Sequence, residues 1–135
     1  MDERVEWELP AAPASAWVAR ERCRAVLGAA RLDDLCDAVV LVLSELVTNA
    51  VRHGQGPVHV AVGCGAAGVK VEVRDGGQGP VREQTAAPDA TGGRGLRLVT
   101  ALADDWGVDI LPDGAKTVWA AIDRPMHPAQ TRRAH

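Results

Sequence analysis

DDLCDAVVLVLSELVTNAVRHG, residues 33–54, decides how the rest of the chain is read. Leu35, Val39, Val42, Leu46 and Val47 recur at intervals of three and four, so they line one side of a helix. Asp33 or Asp34 can cap its start, where a carboxylate also meets the positive end of the helix dipole. Gly54, just after His53, is the residue type that commonly ends a helix. A continuous apolar stripe of this length must be buried against other elements, and the flanking sequence supplies them.

Downstream, valines at 58, 60 and 62 and at 69, 71 and 73 carry the period of two of half-buried strands. They predict strands over Val58–Cys64 and Val69–Asp75, turned at Gly65-Ala66-Ala67-Gly68. Upstream, residues 4–9 (Arg-Val-Glu-Trp-Glu-Leu) alternate as a strand that Pro10 and Pro13 end. Ser15 is positioned to cap a helix reaching about Ala30, with Val18, Cys23, Val26 and Leu27 at helical spacing. Gly, Pro, Thr, Asp and Ala fill residues 76–95, a stretch of the kind often used as a lid. Leu96, Val99, Leu102 and Ala103 then predict a helix. Trp106–Leu111 and Thr117–Ile122 predict a hairpin across Pro112-Asp113-Gly114. The order is strand, two helices, two strands, loop, helix, two strands. It predicts an α+β two-layer sandwich: a mixed, mostly antiparallel sheet with its helices on one face. Residues 1–123 are expected to form one domain and 124–135 a frayed tail.

Composition narrows the function classes. Among 135 residues with a net charge of -3, Ala (23) and Val (18) dominate the apolar side chains, and Phe and Tyr are absent. Stacking platforms of Phe and Tyr are thereby excluded, and no basic stripe points to nucleic acid. No apolar run reaches about 18 residues, and Met1-Asp2-Glu3-Arg4 does not lead into one, so a cytoplasmic protein without membrane contact is expected. Cys23, Cys36 and Cys64 have no C-x-x-C spacing, which argues against a disulfide framework or a zinc site. His53, His59, Cys64 and His127 lack the i, i+4 pairing that would support a metal centre.

Three groups of residues carry candidate chemistry. Glu45, Asn49 and His53 fall four apart on one side of the 33–53 helix. A solvated stripe is the simpler explanation; oxygen donors at this spacing also suit Mg²⁺, which leans on water and phosphate. A carboxylate there could also take a proton, whereas His53 suits the helix C-terminal dipole. Asp75-Gly76-Gly77-Gln78-Gly79-Pro80 follows a strand directly. It can be a plain turn, or a carboxylate held where glycines let a flat polar heterocycle approach. Gly92-Gly93-Arg94-Gly95-Leu96 enters a helix, whose free N–H groups favour an anion, with Arg94 as a further phosphate contact. Two better-known nucleotide signatures fail. Leu98 stands where the dinucleotide fingerprint needs its third glycine, and Lys116-Thr117 follows Ala115 and leads into a strand, unlike a Walker A loop.

Together the three segments resemble the ATP-binding GHKL family shared by DNA gyrase, the large heat-shock chaperone, bacterial histidine kinases and the mismatch-repair ATPase. Glu45-Leu-Val-Thr-Asn49-Ala resembles its N box. Asp75-x-Gly77-x-Gly79 resembles the box that meets adenine, and Gly93-x-Gly95-Leu96 the glycine box closing the ATP lid. Thr117 resembles the threonine that assists Asp75 at the adenine edge. The fine pattern, Ser-Glu-Leu-Val-Thr-Asn-Ala-Val-Arg-His-Gly (44–54) and Gly-Arg-Gly-Leu-Arg-Leu-Val-Thr-Ala-Leu-Ala-Asp (93–104), is similar to the small anti-sigma-factor serine/threonine kinases of bacterial partner switching. No histidine lies in an upstream helix, and the length leaves no room for a phosphoacceptor hairpin or a transducer domain.

The resemblance implies a Bergerat fold, with ATP between the 33–53 helix and a lid at about 76–95. Asn49 would hold Mg²⁺ and Glu45 would activate a serine hydroxyl. Asp75 would select adenine, while Gly77, Gly79, Gly93, Arg94, Gly95 and Leu96 shape the base pocket and phosphate cradle. The implied partners are a sigma factor and an anti-anti-sigma protein of the sulfate-transporter-like antagonist class, with a homodimer as a further implication. Two alternatives stand beside the kinase: a nucleotide-gated module that sequesters a partner without turnover, and a degenerate nucleotide site.

Overall fold

The computed structural model describes residues 3–53, 56–76 and 93–124, with the backbone alone over 93–96. Its elements are β1 (Glu3–Leu9), α1 (Ala14–Ala29), α2 (Asp33–His53), β2 (Val58–Gly65), β3 (Gly68–Arg74), α3 (Gly93–Leu102), β4 (Asp105–Ile110) and β5 (Lys116–Asp123). The strands form one sheet in the order β1-β2-β3-β5-β4. All four pairings are antiparallel, so among the described residues the sheet is not mixed as expected. β2–β3 and β4–β5 are hairpins joined by short turns, which pair antiparallel without a crossover, whereas β1 and β2 are joined through α1 and α2.

Register follows the valines. Val60 faces Val73 and Trp7, and Val71 faces Ala120, so Trp7, Val60, Val73, Val71 and Ala120 point to one side of the sheet. Val58, Val60, Val62, Val69, Val71 and Val73 are all buried there beneath the helices. The opposite side carries ion pairs instead, Arg4 with Glu6 and Glu72 and Lys70 with Glu72, and His59 Nε2 lies 3.5 Å from Glu8 Oε2. Lys70 also covers the Trp119 ring at 5.0 Å. A sheet face solvated in this way needs no second helical layer, and the three helices among the described residues sit on the other.

α2 is the central helix and packs on α1, α3 and β3. Val39, Val42, Leu43 and Val47 have no exposed surface, and Leu46 retains 2%. Asp33 and Asp34 occupy its first turn and Arg52 and His53 its last, with the aspartates and Arg52 matched in sign to the dipole. α1 departs from expectation at its start. Pro13, not Ser15, is the N-cap residue. Ser15 lies inside the first turn, buried, and its hydroxyl donates to the Pro10 carbonyl at 2.6 Å. Proline serves because a helix start leaves its N–H groups unpaired anyway. α1 ends in a Schellman turn: Leu32 N–H donates to Leu27 O at 2.9 Å and Arg31 N–H to Gly28 O at 3.1 Å. Arg31 holds the left-handed position there at φ 61°.

Cys23, Cys36 and Cys64 are free thiols. Burial pushes the Cys23 thiol up to about 12, so it packs as a small apolar side chain with no thiolate to react.

The β2–β3 hairpin turns on Gly68, at φ 148°. A Cβ there would lie 2.3 Å from the Ile122 carbonyl oxygen and 2.8 Å from Asp123 Cα, both backbone atoms of β5. Neither can rotate away, so Gly68→Ala is expected to destabilise the fold by about 1–3 kcal/mol through backbone strain and strand displacement. Urea denaturation measures this, and an unchanged midpoint would contradict it.

Candidate functional site

Glu45, Asn49 and His53 are half-buried along one flank of α2. At 100° per residue this flank lies across the apolar stripe from Ser44. Ser44 faces α1, where Arg20 Nη1 donates to its hydroxyl at 3.0 Å. With α1 closing one side of α2, the Glu45–Asn49–His53 line is left on the side where α3 packs. The same helix thus separates a sealed interhelical contact from an open polar flank.

At the foot of that flank stands Asp75, immediately after β3. It is the one buried carboxylate among the described residues, at 2% exposure. Its N–H donates to the Lys116 carbonyl at 3.1 Å, and its Oδ1 accepts from the Lys116 N–H at 3.2 Å. Asp75 Oδ2 is buried, with no hydrogen-bond partner among the described residues. Burial raises the Asp75 pKa above the usual carboxylate range, opposed by the Lys116 N–H and then by the Lys116 charge. A buried carboxylate oxygen without a donor is costly and rare in a folded protein. Its obvious use is to accept from a ligand N–H. An exocyclic amine of a purine is one group that supplies such a donor.

The glycines on either side of the gap in description divide. Gly77 and Gly79 lie outside the described residues, as do 77–92 of the expected lid. Gly93, Arg94, Gly95 and Leu96 form the first turn of α3. Free N–H groups at such a helix start are the expected phosphate donors. The side chains of Arg94 and Leu96 are outside the description.

Thr117 does not join Asp75. It pairs with Arg74 on β3 and Asp109 on β4, and strand alternation puts it on the solvated side of the sheet with Glu72's partner Trp119. The β5 residue beside Asp75 is Lys116, one position earlier. Sequence reading missed Lys116 because a strand's period assigns alternate residues to alternate faces without saying which set faces in. The signal was available in Val118, Ala120 and Ile122: apolar alternation carried back two positions reaches Lys116. Lys116 also lies close enough to His53 to depress its pKa, second to burial and ahead of Arg52. His53, Lys116 and Asp75 therefore meet where the C-terminus of α2 overlies the ends of β3 and β5.

Among the described residues no three His, Cys, Asp or Glu side chains are grouped to hold a metal. Glu45 and Asn49 offer two oxygen donors four residues apart, so a cation held here would draw its remaining ligands from water and phosphate, as Mg²⁺ does. No helix among the described residues is long and apolar enough to cross a membrane.

No curated protein matches the chain. The sequence profile of the histidine kinase-like ATPase domain does match it, over residues 9–122. That span runs from the end of β1 through β5 and contains α2, Asp75 and the start of α3. An antiparallel sheet with its helices on one face, a polar flank on the central helix and an orphaned buried carboxylate at a strand end agree with the match: the chain belongs to the histidine kinase-like ATPase domain family.

Proposed function

We propose that this ATPase domain is a regulator that transfers the terminal phosphoryl group of ATP to a serine or threonine of an anti-anti-sigma protein, and that it also binds a sigma factor. The observation that carries the kinase reading is the position of Glu45. It is a half-buried carboxylate one turn before Asn49, on the flank of α2 that leads down to Asp75. A domain that merely binds nucleotide has no need of a carboxylate beside the phosphates, where it repels them.

In this reading Asp75 holds the base through its free Oδ2. Asn49 is the residue that would hold Mg²⁺, an ion that draws on water and phosphate for its other ligands. The backbone N–H groups at the start of α3 would hold the phosphate oxygens, and a bound cation would supply further charge neutralisation there. Glu45 accepts the proton of the partner's hydroxyl as its oxygen bonds to the terminal phosphorus. The bond from that phosphorus to the bridging oxygen breaks, and ADP departs with the electron pair. Because such a transition state is loose, positioning and charge stabilisation contribute more than the base.

The test is labelled phosphoryl transfer from ATP to an anti-anti-sigma protein encoded beside this chain. Glu45→Ala is expected to slow transfer by about tenfold, modest for a base because little bonding to the hydroxyl exists at the loose transition state. ATP affinity should stay within about threefold. Equal transfer by the variant would remove Glu45 from the role. Tight ATP binding with no phosphoprotein product would assign the nucleotide-gated binding module instead.

A further inference from the structure

Two polar side chains project to the same side of the sheet from directly opposed positions at the end of the β3–β5 pair. One is that of Asp75, whose Oδ2 is buried and without a partner among the described residues. The other ends in the ammonium of Lys116, whose charge acts on Asp75 and His53 but which has no carboxylate within 4.0 Å among the described residues. The backbone fixes both. Asp75 and Lys116 continue the β3–β5 register beyond Arg74 and Thr117, joined by the bonds of 3.1 Å and 3.2 Å between them. Directly opposed residues of antiparallel strands project to the same side, so Lys116 leaves the sheet on the side of Asp75, beneath α2. Its main chain locks the carboxylate and leaves one oxygen to bind. Its side chain remains to act separately.

A fixed acceptor next to a donor is complementary to an edge that offers a donor next to an acceptor. Adenine has such an edge: its exocyclic amine donates, and the adjacent ring nitrogen N1 accepts. Guanine presents the reverse order there, a carbonyl beside a ring N–H. Seated in the same way, it would set its carbonyl oxygen against the Asp75 carboxylate.

We propose that Lys116 is a specificity-determining residue of the nucleotide site, its ammonium donating to the ring nitrogen N1 while Asp75 accepts from the neighbouring amine. This rests on the reading of Asp75 as the base-binding carboxylate. A lysine in that place differs from a hydroxyl in two ways. It adds charge, which strengthens the bond to a neutral acceptor, and it has no acceptor capacity, so it cannot turn to satisfy a base that offers N–H.

The experiment is a cycle between one side chain and one ligand atom, read by calorimetric titration of the full chain. The ligands are ATP and 1-deaza-ATP, which keeps the amine and replaces N1 by C–H. The proteins are the wild type and Lys116→Met, which retains length and the two backbone bonds to Asp75. Wild type is expected to bind 1-deaza-ATP about tenfold more weakly than ATP, the loss of one charge-assisted bond. Lys116→Met is expected to bind the two ligands equally, with ATP weakened to the level that 1-deaza-ATP shows with wild type. Equal binding of both ligands by the wild type would overturn the proposal without any variant. So would a full tenfold penalty persisting in Lys116→Met. In either case, tight ATP binding that Asp75→Asn weakens at least about tenfold would leave the nucleotide site standing and remove Lys116 alone. A wild type that binds neither ligand would overturn both.

Discussion

Asp75→Asn is expected to weaken ATP binding between about tenfold and a hundredfold, or about 1.4–2.8 kcal/mol. The substitution preserves size, and the amide oxygen can still accept the Lys116 N–H that now bonds Oδ1. What changes is the atom at the position of Oδ2, buried in the parent with no hydrogen-bond partner among the described residues. An amide nitrogen there donates, so it faces the base amine donor to donor and neither bond is made. Calorimetry at constant magnesium reads the effect, and unchanged affinity would revive the degenerate-site reading.

The same substitution has an opposite effect on the unliganded fold. Burial raises the folded pKa of Asp75 above the ordinary value of 3.8. A carboxyl raised in this way binds its proton more tightly in the folded state. It therefore contributes stability below about pH 4, and that contribution is lost as pH climbs through the raised folded value. Above that raised value the unliganded wild type carries a buried charge that the amide does not. Unliganded Asp75→Asn is thus expected to melt at or above the wild-type temperature at pH 7 and to lack that part of the pH dependence. Thermal melts of both proteins from pH 4 to pH 7 check this; a variant markedly less stable at pH 7 would contradict it. A residue whose removal steadies the empty protein and weakens the liganded one is retained for the ligand.

Leu43→Ala is expected to be the most damaging core substitution, at about 2–5 kcal/mol. Leu43 has no exposed surface. It lies on the helix that packs against α1, α3 and β3 together, so the neighbours on all sides are themselves held and cannot collapse into the space. A domain of this size commonly has about 5–15 kcal/mol in total, so the loss is a large share. It corresponds to roughly 5–15 °C in Tm. Leu43→Met, nearly the same volume, should cost under about 1.5 kcal/mol. A lower urea midpoint with an unchanged slope is the expected signature. Similar midpoints for the two variants would mean that packing around α2 is looser than the fold implies.

The apolar repeat of 33–53 determined that a buried helix stands at the centre, and the valine alternation at 58–62 and 69–73 determined two adjacent inward-facing strands. These were legible because a period is a local property: it assigns a face without reference to any distant residue. Glu45 and Asn49 were placed on one flank by the same arithmetic. Local chemistry was less secure at ends. Ser15 looks like a cap but is inside α1, where its hydroxyl bonds back to Pro10, because Pro13 had already set the chain on a helical path.

What only the tertiary structure decided is which strands are neighbours and in what register. Asp75 is separated from Lys116 by 41 residues, and no local pattern relates them. Nothing in the sequence around Asp75 says that it is buried, since Asp-Gly is ordinary turn chemistry. Burial came from the edge where β3 meets β5 beneath the end of α2. The same register moved the β5 contact from Thr117 to Lys116, a shift of one residue that exchanges the two faces of a strand. Sequence alone thus determined the elements and the set of polar residues available to a site. Pairing across the sheet determined which of them face one another, because hydrogen-bond register is a property of two strands and not of either.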